Sequence, residues 1–174
     1  LFREACDLRF RVLKDQAVVF MAHHDHLGIG KPDATGDVVY NGALDNATGV
    51  AQVLAIAKAF MALPQRPRRT ILFAIVSCEE SGLLCSADYT AHPTCPIERI
   101  AADVDFDAGN IFGKTRDVAL VGKGKSTLDQ VAEAAAALQG RVVIDEPFPD
   151  RGAYYRSDHF SFARAGVPGV AVAQ

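Results

Sequence analysis

Ala17-Val18-Val19-Phe20-Met21-Ala22-His23-His24-Asp25-His26 is the stretch on which the fold turns. Its first six residues are apolar without alternation, the signature of a strand covered on both faces. The run then breaks into histidines and an acid. Residues 70–76, 100–106 and 167–172 repeat the apolar, β-branched character, and helical patterns fall between them. Residues 48–63 place Val50, Val53, Leu54, Ala57 and Met61 on one stripe, with Asn46 or Asp45 as the cap and Pro64 as the stop. Residues 127–138 are alanine-rich and end before Gly140, and a shorter helix spans 159–164 ahead of Gly166. Alternating strands and helices predict an α/β domain, its sheet mostly parallel and covered by helices on both faces. Residues 28–40 and 147–155 are too rich in Gly, Pro and Asp for regular structure and read as loops.

The chain has 174 residues, 49% of them hydrophobic, enough for one domain with a real core and too few for two. Formal net charge is −3 and the basic residues are scattered, which argues against a nucleic-acid groove. The longest basic cluster, Arg66-Pro67-Arg68-Arg69, reads as a solvated loop leading into a strand. No apolar stretch approaches the roughly 20 residues of a membrane span. The opening Leu1-Phe2-Arg3-Glu4 is polar and does not read as a signal peptide. Cys6, Cys78, Cys85 and Cys95 form no CxxC pair, which disfavours a structural zinc knuckle or a redox motif. Cys78 and Cys85 read either as a pair or as two buried thiols.

The ionisable residues follow the strands. His23 and Asp25 come directly after the first, Glu79 and Glu80 after the second, and Asp107 after the third. In open α/β sheets, ligands bind beyond the carboxyl ends of the strands, so three strands deliver acids or imidazoles to one edge. Singly, each piece has a plainer account. His23 could be one more solvated histidine, Asp45 a helix cap, and Glu79-Glu80 first-turn acids facing a helix dipole. Hydrolysis, however, needs one carboxylate on a metal and a free one to take a proton, and adjacent acids on a loop can divide those tasks. Ser157-Asp158-His159 adds a second imidazole at a helix start. Mixed histidine and carboxylate donors suit zinc or a similar divalent ion. Five candidate ligands, His23, Asp45, Glu80, Asp107 and His159, give three to each of two ions about 3.5–4 Å apart if one acid bridges them.

Four segments carry a resemblance: Ala22-His23-His24-Asp25-His26-Leu27-Gly28, Gly42-Ala43-Leu44-Asp45-Asn46-Ala47-Thr48-Gly49, Cys78-Glu79-Glu80-Ser81-Gly82-Leu83-Leu84 and Arg156-Ser157-Asp158-His159-Phe160. In this order, with Asp107 between the third and fourth, they resemble the signature stretches of the M28 family of metallopeptidases. The resemblance implies a three-layer α/β/α sandwich with a mixed, mostly parallel sheet. It implies two zinc ions, with cobalt or manganese as substitutes. His23, Asp45 and Asp107 would hold one, and Asp45, Glu80 and His159 the other. Glu79 would be the general base and Asp25 the orienter of His23, in an aminopeptidase acting on peptides. The family's frequent secretion or periplasmic placement carries over as an expectation. Asp105 stands where the family usually has Asn, Ala108 where Met or Gly is usual, and Cys85 where Gly is common. The first strand begins after sixteen residues and the chain stops at Gln174, so a catalytic core over residues 1–174, incomplete at both ends, is expected.

Three rival readings are weaker. Gly122-Lys123-Gly124-Lys125-Ser126-Thr127 has the look of a phosphate loop between a strand at 118–121 and a helix, but the required earlier glycine is Ala119. A turn with a helix cap accounts for it better. An inactive binding module would have lost Glu79 or a ligand, and neither is lost. A single-zinc acyl transferase of the glutaminyl-cyclase kind shares the fold but needs one ligand set, not two.

Overall fold

A computed structural model describes residues 13–173; residues 1–4, Cys6 and Gln174 lie outside the described residues. In chain order the elements are β1 (Leu13–His23), β2 (Gly28–Ile29), β3 (Val39–Tyr40), α1 (Ala47–Met61), β4 (Arg69–Val76), α2 (Leu84–Ala91), β5 (Ile100–Asp105), β6 (Asp117–Val121), α3 (Leu128–Leu138), β7 (Val142–Asp145), α4 (His159–Arg164) and β8 (Gly169–Ala173). One sheet runs β4-β1-β5-β8-β6-β7. Its first four strands are parallel, and β6 and β7, parallel to each other, run against β8. The sheet is therefore mixed and mostly parallel, the central layer of an α/β/α arrangement.

Alternation along β1 decides which layer each residue joins. Val18, Phe20 and Ala22 face α1 with Ile71, Phe73, Val104 and Phe106, while Ala17, Val19 and Met21 face the side of Phe162 on α4 and Tyr89 on α2. Phe20 anchors the α1 side, its ring centroid 5.7 Å from Phe60, 6.1 Å from Phe73 and 6.5 Å from Phe106. Burying one such side chain is worth about 2–3 kcal/mol. Register sets the ends: His23 pairs with Val76 and Met21 with Asp105, so three strands finish nearly level. Helices that follow parallel strands start at that same edge.

The structure departs from the sequence reading in four places. The first strand starts at Leu13 rather than Ala17. Residues 28–40 are not wholly irregular: Gly28 and Ile29 pair antiparallel with Tyr40 and Val39. Helix α2 and strand β7 escape the reading because both are short and largely exposed, so burial imposes little periodicity on them. The stretch 122–127 agrees with the reading: it is a turn whose Gly124 N–H is taken by Asp129 Oδ2 at 2.7 Å, leaving no open cradle at that amide.

Asn46, not Asp45, caps α1. Its Oδ1 accepts from Gly49 N at 2.9 Å and Ala108 N at 3.1 Å, and its Nδ2 donates to Phe106 O at 2.8 Å. The side chain is fully buried and ties the start of α1 to the turn after β5. Gly49 permits this approach, since a Cβ there would lie 2.1 Å from Phe106 O. Asn46→Ala orphans the buried Gly49 N and Phe106 O and the part-buried Ala108 N, and is expected to cost about 3 kcal/mol, the low end of roughly 1–3 kcal/mol for each unsatisfied group. Thermal unfolding of the metal-free protein should drop by roughly 6–12 °C at this chain size; a shift under 2 °C would mean that the cap bears no load.

Candidate metal centre

Because Asn46 takes the capping role, Asp45 is free to face the sheet edge, and the Asp45–Asn46 peptide bond is cis. His23, the last residue of β1, is buried, and its Nδ1 lies 3.0 Å from the carbonyl oxygen of Asp25. A carbonyl only accepts, so that nitrogen carries a proton and Nε2 points the other way. Nε2 lies 3.1 Å from Asp45 Oδ1 and 3.3 Å from Asp107 Oδ1. Two donors on one tetrahedral zinc, each about 2.0–2.1 Å from it, stand about 3.3–3.4 Å apart. The spacing fits the donor set of a zinc ion.

Among the described residues, two groups of donor atoms converge, each with all its atoms within 4.8 Å of one another: His23, Asp45 and Asp107, and His26, Asp45 and Glu80. Asp45 belongs to both. His26 is the member that sequence reading missed; it was one histidine in a dense run, and only its Nδ1 contact with Glu80 Oε1, at 2.5 Å, sets it apart. His159 sits at the start of α4 and belongs to neither group. It is fully buried with neither ring nitrogen hydrogen-bonded, 5.1 Å from the Tyr154 ring and with Nδ1 3.8 Å from Asp105 Oδ2. A buried imidazole with no hydrogen bond at either nitrogen is uncommon, and a metal would satisfy one of them.

Around these donors the loops are held from outside. Asp25 serves two neighbours: its carbonyl holds His23, and its carboxylate accepts from Glu79 N at 3.3 Å while lying 3.6 Å from His23 Nδ1. Ser157 Oγ donates to Asp107 Oδ2. Asp105 Oδ2 accepts from His159 N at 3.3 Å and so anchors the start of α4. Cys78 and Ala108, beside Glu79 and Asp107, have φ of 60° and 61°. For non-glycine residues that region costs roughly 1–2 kcal/mol. Hydrogen bonds hold both: Leu84 N donates to Cys78 O, and Ala108 N to Asn46 Oδ1.

The charges are those of a cation site without its cation. Burial pulls the His23 imidazolium down, yet hydrogen bonds to Asp107 and Asp45 and the fields of Asp107 and Glu79 carry it up to about 11. Burial acts to raise Asp107, but the hydrogen bonds from His23 and Ser157 outweigh it and hold the acid below its usual range. Glu79 is pushed up to about 8, by burial first and then by the charge of Asp107. Beneath lie Asp103, raised well above the carboxylate range by burial and by Asp105, and Asp158, pushed up to about 7 by burial and Asp105.

Metal binding must therefore displace protons. Near pH 7.5 the metal-free His23 is protonated, and a ligand imidazole must not carry that proton. Calorimetric titration with zinc in buffers of differing ionisation enthalpy should show release of at least one proton, with affinity rising as pH increases. A heat of binding independent of the buffer would contradict this.

The zinc aminopeptidase of Bacillus subtilis superposes with a TM-score of 0.70 at 21% identity, over 95% of this chain and 38% of that one. The peptidase M28 precursor of Shewanella amazonensis gives 0.68 at 25% identity, over 96% and 34%. A glutaminyl cyclase of Bacteroides thetaiotaomicron gives 0.69 at 17% identity, over 91% and 59%. The chain thus spans less than two thirds of the length of each, and this fold houses more than one chemistry. No curated protein sequence matches it significantly. The family model for peptidase family M28 matches residues 10–174, and the chain belongs to that family.

Proposed function

We propose that the chain is the metal-binding core of a zinc-dependent aminopeptidase, a hydrolase releasing N-terminal residues from peptides. The carrying observation is that Asp45 converges both with His23 and Asp107 and with Glu80, as a carboxylate bridging two ions must. The single-metal cyclase reading has no use for that sharing.

In this reading His23, Asp45 and Asp107 hold one ion, and Asp45, Glu80 and His159 the other. The ring nitrogens of His159, neither of them hydrogen-bonded and delivered by α4 to the same sheet edge, support its inclusion. Two bound zinc ions supply Lewis acidity, polarising the scissile carbonyl and acidifying water. Glu79 is the general base. It is half-buried among acids, which raises its proton affinity, so it takes a proton from water and returns it to the leaving amine. Asp25 holds the Glu79 backbone and the His23 ring in one arrangement.

Zinc-reconstituted protein is to be assayed on a panel of amino-acid p-nitroanilides and on a peptide with N-terminal glutamine. Release of nitroaniline and of free N-terminal residues supports the proposal. Ammonia released from the glutamine peptide, with no amine product from the panel, would replace it with the cyclase.

A further inference from the structure

His26 is conspicuous because the aminopeptidase reading has no use for it. It lies on the loop between β1 and β2, with Nδ1 2.5 Å from Glu80 Oε1, and both side chains are about one-fifth exposed, at 22% and 21%. Either an ion or a proton can sit between an imidazole nitrogen and a carboxylate oxygen, and the separation distinguishes them. Donors sharing a tetrahedral zinc stand about 3.3–3.4 Å apart, as His23 Nε2 does from Asp45 and Asp107 at 3.1 and 3.3 Å. A 2.5 Å contact leaves room only for a proton, in a charge-assisted hydrogen bond. The carboxylate has none to give, so Nδ1–H donates.

The ring also meets the β2–β3 hairpin. The Tyr40 ring stands edge-on to His26, centroids 5.7 Å apart at 64°. Tyr40 in turn covers Gly30, where a Cβ would fall 2.4 Å from its Cε2. Gly42, with φ +66°, passes close enough that a Cβ there would be 3.2 Å from His26 Cβ. The imidazole therefore touches both the hairpin and Glu80.

We propose that His26 is a positioning residue for the second metal site: its Nδ1–H holds Glu80 Oε1, leaving Oε2 for the ion, and latches the Tyr40 hairpin to that site. This rests on Glu80 being a ligand of the second ion. Partners of this kind around ligating carboxylates are worth roughly 10–100-fold in metal affinity.

The test titrates zinc into wild type, His26→Ala and His26→Asn by calorimetry, and records the visible spectrum of each with cobalt. Asparagine places an amide N–H close to the position of Nδ1. Wild type should bind two zinc ions. His26→Ala should bind the first with unchanged affinity and the second roughly 10–100-fold more weakly, with a wild-type cobalt spectrum at saturation. His26→Asn should recover most of the loss. Unchanged second-site affinity in His26→Ala overturns the proposal. So does an altered cobalt spectrum at saturation with no recovery in His26→Asn, which would make His26 a direct ligand. A wild type that takes up only one zinc would overturn the two-metal reading itself, and the latch with it.

Discussion

Asp45→Ala should cost the protein both metal ions at once. Asp45 stands in each group of donor atoms, so its removal leaves two donors in each, and a two-donor site holds zinc poorly. Affinity at both sites should fall by more than roughly 100-fold, since even a partner outside the first coordination sphere is worth 10–100-fold. Activity after dialysis should fall to background. The fold should survive, because the capping hydrogen bonds belong to Asn46 and the Asp45 side chain is 45% exposed. The buried His23 keeps Asp107 as a partner at 3.3 Å, so metal-free Asp45→Ala should lose no more than about 3 kcal/mol, the low end for breaking a buried pair. Metal analysis with a thermal melt of the apo-protein separates the two effects. Retention of one ion at wild-type affinity would show that the sites do not share this carboxylate.

Glu79→Gln should do the reverse, keeping both ions and losing the chemistry. Glutamine matches glutamate in shape but cannot accept a proton, so kcat should fall by about 100–10,000-fold, the usual contribution of a general base. The link from Asp25 runs to the Glu79 backbone and survives the substitution. KM should change little. If the variant instead loses zinc, Glu79 and Glu80 have exchanged roles.

Much of this was legible in one dimension. Strands buried on both faces need continuous apolarity, so β1, β4, β5 and β8 could be located, and with them the edge to which His23, Glu79, Glu80 and Asp107 are delivered. Elements whose side chains meet mostly solvent left no such trace. Strand β7 and helix α2 were missed for that reason, and the short β2–β3 hairpin was hidden in polar, glycine-rich sequence.

The site divides in the same way. Residue types and their order along the chain announce a metal centre, because few other chemistries gather imidazoles and carboxylates at strand ends. Between Asp45 and Asn46, local sequence offered two cap candidates and no reason to choose. The choice falls to Asn46 because its amide can both accept from Gly49 N and donate to Phe106 O, a residue 60 positions away. The role of His26 was likewise out of reach, since a contact with Glu80 across 54 positions exists only once β1 and β4 lie side by side. Donor chemistry and strand placement are local properties, written in the identity of each residue and its near neighbours. Which donors share an ion, and which only hold the others still, depends on distances of a few tenths of an ångström between separate loops, and packing alone sets those.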